Sequence, residues 1–371
     1  MSRTRRPSPR LTKGNEALKT TIMGMVAVAA LSTLALAGCS SSTSGSGSSG
    51  SATTAAKKTA CVILPDTESS PRWESGDRPA LNKALTAAGF AANIQNAQNS
   101  TTKYVSIAQS QLSKGCGVML LVDLNGVGAT VLTKAKAMGV PVIAYDRPIA
   151  GADYYVSFDN EKVGELEGQM VVDGLKAENK DASTASVVCM SGDPTDGNAA
   201  FFKSGALKVM SAAGIKCAFS PKGTWDATKS GTEFQQAYTA LKGKVDAVWT
   251  ANDANNAAVI TVLDKYKKVV PTSGQDASIA GLQNILLGKQ YGTVYKPYQL
   301  EAKQASSIAI ALLKGQKPSA PTTQDGVPAY LLTPILTTAS GVQKVIDDGN
   351  ASASTVCAGA VAAACTKAGI K

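Results

Sequence analysis

The residues with the clearest chemical potential are Asp146 and Arg147, which directly follow a strand-like apolar run in the stretch VPVIAYDRPI, residues 140–149. A carboxylate accepts hydrogen bonds through two oxygens, and a guanidinium donates them in a planar fork. Other apolar runs are followed by groups of the same kind or by tryptophan. These residues are Arg72, Trp73 and Asp77 after the first run, Asn125 after the third, and Asn198, Trp225, Asn252, Asp276 and Lys296 in the second half of the chain.

Side chains of these types suit a neutral polyol. Hydroxyl groups both donate and accept hydrogen bonds, so planar Asp, Asn and Arg groups match vicinal pairs of them. Tryptophan rings can cover the apolar C–H faces of a sugar. Taken singly, each residue has an alternative, since an Asp or Asn after a strand is often a helix N-cap and Arg147 could form a surface salt bridge. Recurrence in both halves of the chain favours a binding site.

The residue types also exclude several kinds of site. Histidine is absent from the chain, which excludes histidine triads and histidine metal sites. No glycine-rich phosphate loop links a strand to a helix, and no EF-hand loop is present. We therefore expect no cofactor and no metal ion.

The elements that must position these groups follow from short apolar runs that alternate with amphipathic segments. The runs predict strands at residues 60–65, 91–94, 117–122, 140–145, 185–190, 215–220, 245–251, 269–274 and 292–295. The segments predict helices at 101–114, 127–138, 162–177, 199–213 and 278–287. Such alternation is typical of an α/β fold whose parallel sheets are covered by helices on both faces.

The pattern occurs twice, before and after the sequence YYVSFDN near residue 158. We therefore predict two doubly wound, Rossmann-like domains with a cleft between them. Ligands of open α/β sheets bind outside the carboxyl ends of the strands, which is where the polar residues lie. The cleft is the predicted binding site.

The first forty residues are typical of an export signal. A basic segment precedes a moderately apolar run at residues 20–37, and the run ends in the sequence LAGC. LAGC resembles the bacterial lipobox, whose cysteine, here Cys39, becomes the lipidated first residue. We predict a signal peptide at 1–38 and, at 39–58, the lipidated cysteine with a flexible Ser/Gly-rich tether. The protein would then be extracytoplasmic and lipid-anchored to the cell membrane; an uncleaved transmembrane helix is the alternative.

Cysteine usage agrees with export. Six cysteines remain when Cys39 carries the lipid, and exported proteins favour disulfides. Two of the six begin strands in the first half of the chain, two do so in the second half, and two lie near the C-terminus. The predicted pairs are Cys61 with Cys116, Cys189 with Cys217, and Cys357 with Cys365. A metal site is the alternative, although there is no CxxC motif.

Charge does not indicate a nucleic-acid partner. The net charge is +10, but six of the 37 basic residues and one of the 27 acidic residues lie in the first 38, which leaves +5 for the rest. These charges are scattered, without a Lys/Arg-rich run or interleaved aromatic residues.

The sequence resembles bacterial sugar-binding proteins of ABC importers of the ribose/galactose type, which are type I periplasmic binding proteins, and among them the xylose-binding subgroup. The motifs RWESGDR, YDRPI, FDNEKVGE, SGQDA and TVYKP carry the resemblance, which spans residues 61–350. It implies sugar contacts from the eleven polar and tryptophan residues named above. In one departure, three residues separate Trp73 from Asp77, where the family motif has two.

The resemblance also implies a three-strand hinge, with crossovers near residues 158, 296 and 327. The N-terminal lobe would comprise 59–158 and 297–327, and the C-terminal lobe 159–296 and 328–371. A monomer without enzymatic activity would close around a monosaccharide, D-xylose foremost, and deliver it to a membrane permease. Glucose, arabinose and galactose are alternative ligands, and a receptor that feeds a sensor kinase is an alternative role.

Two further classes of protein share part of the pattern. A transcription regulator with the same fold needs an N-terminal DNA-binding domain, but an export signal stands in that position. An exported glycosidase needs a paired acid and nucleophile with shifted pKa values. The expected cleft carboxylates have hydrogen-bonding roles instead, and Arg147 or Lys296 should keep their neighbours ionised.

Overall fold

The computed structural model describes residues 59–371, so the predicted signal peptide, Cys39 and tether lie outside the described residues. The described strands are β1 (Thr59–Leu64), β2 (Ala91–Asn96), β3 (Cys116–Leu121), β4 (Val142–Tyr145), β5 (Tyr154–Phe158), β6 (Val187–Met190), β7 (Cys217–Phe219), β8 (Ala247–Thr250), β9 (Thr293–Tyr295), β10 (Thr322–Gln324), β11 (Val327–Leu332) and β12 (Ile335–Thr337). The described helices are α1 (Arg78–Ala87), α2 (Thr101–Ser113), α3 (Gly128–Ala137), α4 (Asn160–Ala177), α5 (Gly197–Ala212), α6 (Ala227–Ala240), α7 (Asp253–Lys265), α8 (Ile279–Leu286), α9 (Tyr298–Leu313), α10 (Val342–Asp347), α11 (Ala353–Val356) and α12 (Ala362–Ala368).

The larger sheet has seven strands in the order β10-β11-β5-β4-β3-β1-β2, and every pair except β10 with β11 is parallel. Its central strands are apolar on both faces. In β1, Ile63 contributes to the core beneath α2 and α3, while Val62 and Leu64 contribute to the core beneath α1 and α9. This is the expected composition of a parallel sheet with both faces covered, and it confirms the predicted α/β class.

A second parallel sheet has the order β7-β6-β8. Single parallel bridges, Val248 with Thr272 and Gln275 with Val294, extend it toward β9, which pairs antiparallel with β12. The predicted strand at 269–274 is therefore reduced to one bridge. Pro271 explains this in part, because proline has no N–H to give to a sheet ladder.

The chain passes between the two sheets three times. It leaves the larger sheet after β5, returns after β9 and leaves again after β11, which pairs with β5 at Leu332 with Phe158. The third passage therefore follows residue 332 instead of residue 327, because β11 completes its pairing with β5 first. We call residues 59–158 and 298–332 the first lobe, and residues 159–297 and 333–371 the second lobe.

Helix starts are set by short polar side chains. Ser100, Asp159, Asp196, Asp226, Asn252, Ser278 and Ser352 each accept a hydrogen bond from a backbone N–H in the first turn of the helix that follows. Where α4 meets α5, glycines let the backbones approach: a Cβ at Gly164 would collide with the carbonyl oxygen of Phe202. This contact fixes the start of α5, which carries Asn198.

Disulfides join Cys61 to Cys116, Cys189 to Cys217, and Cys357 to Cys365, the three pairs predicted from position. The first ties β1 to β3, and the second ties β6 to β7. Between residues 59 and 371, no helix combines the length and apolar character that a bilayer crossing requires.

Candidate functional site

A cavity between the two lobes collects side chains that follow the carboxyl ends of strands in both sheets. Nine of the eleven predicted site residues line it: Arg72, Trp73, Asp146, Arg147, Asn198, Trp225, Asn252, Asp276 and Lys296. Ser69, Ser70, Asp196, Phe202 and Gln275 complete the wall. Polar and tryptophan residues that follow predicted strands therefore make up most of the wall of a single cavity.

Arg72 forms one corner of the cavity. Its Nε and Nη2 donate to the two carboxylate oxygens of Asp77 at 2.8 and 2.7 Å, and Nη1 donates to Asp146 Oδ2 at 3.1 Å. Nη2 also donates to Glu301 Oε2 at 2.5 Å. The guanidinium carbon lies 4.8 Å from the ring centre of Trp73, within cation–π range. These contacts fix the orientation of the guanidinium, which still lines the cavity along one edge.

The structure does not bring Asp77 or Asn125 to the cavity wall. Asp77 is fully buried behind Arg72 and accepts a hydrogen bond from the Tyr145 hydroxyl as well. Asn125 is exposed in a wider opening next to the cavity, where its Oδ1 accepts a hydrogen bond from Thr195 Oγ1 at 2.8 Å. Asp77 therefore supports Arg72 from behind, and Asn125 connects the lobes at the mouth of the cleft.

Arg147 forms the opposite corner. Nη1 donates to the carbonyl oxygen of Asp123 at 2.9 Å, and Nη2 donates to Ser69 Oγ at 3.2 Å. Nε lies 3.0 Å from Oδ2 of Asp196, which belongs to the second lobe and also accepts from Trp225 Nε1 at 3.0 Å. The first lobe thus holds Arg147 on two sides, and the second lobe supplies its counter-charge.

The Trp225 ring rests on a glycine. A Cβ at Gly192 would collide with its six-membered ring, so only glycine permits this position. Phe202 meets Trp225 edge to face, with ring centres 6.3 Å apart. Trp225 and Trp73 give the polar cavity two aromatic surfaces, one from each lobe.

The second lobe reaches the first through several hydrogen bonds. Asn252 Nδ2 donates to the backbone oxygen of Ser69 at 3.0 Å, and Ser70 Oγ donates to Asp276 Oδ2 at 3.1 Å. Asp276 also pairs with Lys296, whose Nζ lies 2.9 Å from Oδ1. The described conformation is therefore a closed one, with both lobes in contact around the cavity.

Asn198 contributes at the hinge side. Its Nδ2 donates to the backbone oxygen of Asp146 at 2.9 Å, and its Oδ1 accepts from the Tyr155 hydroxyl at 3.1 Å and from Asn160 Nδ2 at 2.9 Å. The carboxamide is almost fully committed to protein partners. Its first role is thus to connect the start of α5 to the end of β4.

Burial and neighbouring charges shift the pKa values of the charged site residues in opposite directions. Burial lowers the pKa of Arg72, but the carboxylates of Asp77 and Glu301 outweigh it and raise this pKa well above its usual value. Burial likewise lowers the pKa of Lys296, but the carboxylates of Asp276 and Asp146 together outweigh burial and leave a raised value. In return, Lys296 and Arg72 together overcome the effect of burial on Asp276 and lower the pKa of that carboxyl. Arg72, Lys296 and Asp276 are therefore charged near neutral pH.

Sequence reasoning missed Glu301 and Asp196. Glu301 lies in the first turn of α9 and does not follow an apolar run. A search for polar residues after predicted strands therefore does not find it. Asp196 is part of the GDPTDGNA segment, in which the predicted contact is Asn198, two residues later. The charge balance around Arg72 and Arg147 would have pointed to further acids.

The arrangement is suited to binding and not to catalysis. Three cations and three carboxylates line the cavity and are paired with one another, so no unpaired acid and base face a common point. In residues 59–371, no three acidic or cysteine side chains are arranged so that they could hold a metal ion. What remains available is a set of hydrogen-bond donors and acceptors beside two indole rings.

Comparisons with known proteins agree with this geometry. A periplasmic binding protein domain model matches residues 61–317. The D-xylose-binding periplasmic protein of Escherichia coli (strain K12) is 35% identical over 293 residues, covering 75% of this chain and 86% of that protein. The multiple sugar-binding periplasmic receptor ChvE of Rhizobium radiobacter is 29% identical over 325 residues, covering 80% of this chain and 91% of the receptor.

Among solved structures, an ABC transporter solute binding protein from Clostridium phytofermentans with bound β-D-glucose aligns with a TM-score of 0.74 and 29% identity. The alignment covers 81% of this chain and 100% of that one. A carbohydrate transporter solute binding protein from Chloroflexus aurantiacus, in complex with D-glucose, aligns with a TM-score of 0.73 and 27% identity, covering 80% and 97%. The chain therefore belongs to the periplasmic binding proteins of the type I fold, which are solute-binding proteins and not enzymes.

Proposed function

We propose that this protein captures a monosaccharide, D-xylose foremost, in the cavity between its lobes and delivers it to an ABC permease. The observation that carries the proposal is the cavity wall itself, in which Arg, Asp, Asn and Lys side chains from both lobes lie beside two tryptophans. Such groups match the hydroxyls and the C–H faces of a sugar ring.

The charge balance of the wall supports a neutral ligand. Arg72, Arg147 and Lys296 each have a carboxylate partner among the lining residues, namely Asp146, Asp196 and Asp276 in that order. An anionic ligand such as a sugar acid or sugar phosphate would find no uncompensated positive charge. A neutral sugar can share the existing hydrogen bonds without leaving a buried charge unpaired.

The similarity to a D-xylose-binding protein at 35% identity supports xylose as the first candidate. The glucose complexes of two structural neighbours keep glucose as the main alternative, followed by arabinose and galactose. Since contacts from both lobes surround the cavity, capture requires the lobes to open and close about the three connecting segments. We infer a monomer, because one chain supplies every wall of the cavity.

We also propose that the protein is extracytoplasmic and held to the membrane by a lipid on Cys39. The LAGC sequence and the Ser/Gly-rich segment after it support this placement. Labelling cells with a fatty-acid analogue should mark the wild-type protein, and Cys39→Ala should abolish the label. A labelled Cys39→Ala variant would contradict the anchor.

A ligand screen tests the proposed binding. The purified protein is heated with D-xylose, D-glucose, D-galactose, L-arabinose and D-ribose, with D-xylonate as the anionic control. A ligand that binds only the folded form raises the unfolding temperature, and at one hundred times Kd the stabilisation is about 2.7 kcal/mol. We expect a shift with xylose and none with xylonate. Absence of a shift with every pentose and hexose would overturn the proposal.

A further inference from the structure

The environment of Arg72 contains more negative charge than one guanidinium can compensate. Three buried carboxyl groups contact it: Asp77, Asp146 and Glu301. Asp77 and Glu301 are fully buried, and Asp146 is nearly so. If all three were ionised, two negative charges would remain uncompensated inside the protein, which is costly. One of the three carboxyls should therefore carry a proton.

Hydrogen bonding identifies Glu301 as the group that carries it. Asp77 accepts two hydrogen bonds from Arg72 and one from the Tyr145 hydroxyl, all of which favour its ionised form. Asp146 lies at the cavity edge and accepts from Arg72. Glu301 accepts from Arg72 through Oε2 alone, while its Oε1 is buried without any hydrogen-bond partner.

The other groups around Glu301 do not supply a second positive charge. The charged groups that act on its carboxyl are Arg72, Asp146 and Asp77. The nearby phenols of Tyr145 and Tyr155 have pKa values raised well above the usual range by burial, so they stay neutral. Burial outweighs Arg72 and raises the pKa of Glu301 itself to about 8.

We propose that Glu301 is a positioning residue that is protonated when the cleft is closed, which leaves Arg72 available to Asp146 and to the sugar. Loss of the proton would strengthen the pull of Glu301 on Arg72 and place a second uncompensated charge behind the cavity. Sugar affinity should then decrease in alkaline solution. This inference rests on the proposed sugar binding but adds a proton to the closed, liganded state.

The test is calorimetric titration with D-xylose, or with D-glucose if xylose gives no signal in the screen, between pH 6 and pH 9.5. For the wild-type protein, Kd should rise at least threefold from pH 7 to pH 9, and by no more than about tenfold per pH unit, the limit for one linked proton. Glu301→Gln keeps a neutral acceptor for Arg72, so its Kd should vary less than twofold over this range. Glu301→Ala, which removes the acceptor, should bind more weakly than Glu301→Gln at pH 7.

Glu167→Gln is the matched control. Glu167 is another fully buried carboxyl, with Oε2 bonded to Trp249 Nε1 at 2.8 Å and a pKa raised well above its usual value by burial, but it does not contact Arg72. Its variant should keep the wild-type pH profile. A flat wild-type profile, or an unchanged slope in Glu301→Gln, would overturn the inference while leaving sugar binding intact.

A measurement on the wild-type protein alone covers the case in which the variants do not fold. Titrations at pH 8 in buffers of different ionisation enthalpy report the protons exchanged on binding. We expect uptake of a fraction of one proton, because a sugar that binds the protonated form more tightly raises the pKa of Glu301. No uptake would overturn the inference, whereas no binding at pH 7 would instead overturn the proposed function.

Discussion

Arg147 of the first lobe and Asp196 of the second form an ion pair across the cleft, with Nε and Oδ2 3.0 Å apart. Burial lowers the pKa of Arg147, but Asp196 together with the other nearby carboxylates outweighs this effect and leaves the pKa raised. Each lobe therefore supplies one charge of a pair that exists only when the cleft is closed. Opening the cleft has to separate them, so closure and the position of Arg147 are coupled.

We predict that Arg147→Ala weakens sugar binding by about 2–5 kcal/mol, because it leaves Asp196 buried without its partner. Calorimetric titration with the best ligand of the screen measures the change. Lys208→Ala is the control, since it removes an exposed lysine that pairs with Glu165 on the protein surface, and we expect its Kd to stay within twofold of wild type. Wild-type affinity in Arg147→Ala would contradict the assignment of this corner to the site.

Gly192→Ala tests the aromatic wall. The new methyl group would collide with the Trp225 ring and displace it, so we expect sugar affinity to fall at least tenfold, about 1.4 kcal/mol, while the fold is retained. Gly231→Ala on α6 is the control, because its Cβ would lie 3.3 Å from the Cβ of Ala258, its nearest neighbour. Circular dichroism checks the fold of both variants. An equal loss in both would mean that the effect is not specific to Trp225.

The disulfides should differ in their contribution to stability. The Cys61–Cys116 bond spans 55 residues and the Cys357–Cys365 bond spans 8. Loop-closure entropy predicts a loss of about 4 kcal/mol when both cysteines of the first pair become serine, and of about 2.5 kcal/mol for the second pair. Urea denaturation of the two double variants gives these values. The reverse order of stability would contradict the prediction.

Stability should decrease as pH rises from about 5 to about 8. Burial raises the pKa of Asp253 to about 7 and that of Glu301 to about 8, so the folded protein holds protons that the unfolded chain has already lost. Each group then reduces the free energy of unfolding by up to about 1.4 kcal/mol per pH unit within its window. Urea denaturation at pH 5, 6.5 and 8 measures the slope, and Glu301→Gln should reduce it. A free energy of unfolding that increases over this range would contradict both assignments.

The fold was largely predictable because parallel α/β architecture leaves a strong pattern in the chain. Buried strands such as β1 and β3 are continuous apolar runs, and nearly all predicted strands and helices are found within a few residues of their predicted bounds. The exceptions depend on tertiary pairing. β11 lies beyond the predicted crossover because its partner β5 is more than 150 residues earlier in the chain, a relationship that local periodicity does not contain.

The site was predictable to the extent that strand ends determine it. Asn252 comes shortly after β8, and Asp276 comes directly after the bridge formed by Gln275. Both side chains line the cavity, as their positions after strands predict. Asp77 is turned behind Arg72 by the π-helical turn Trp73–Asp77 that precedes α1. Glu301 approaches from α9, where the chain has returned to the first lobe, so only the folded first lobe reveals it.

Two of the lining acids, Asp146 and Asp276, have left-handed backbone conformations, with φ of 61° and 94°. Three hydrogen bonds to the backbone oxygen of Asp146 maintain its conformation. The donors are Tyr155 Oη at 3.0 Å, Ser157 Oγ at 2.8 Å and Asn198 Nδ2 at 2.9 Å. Only Gly, Asn and Asp adopt such conformations with little strain. Evolution toward another ligand therefore has few substitutions available at these two positions. New specificity would arise more readily at the aromatic and amide positions of the wall.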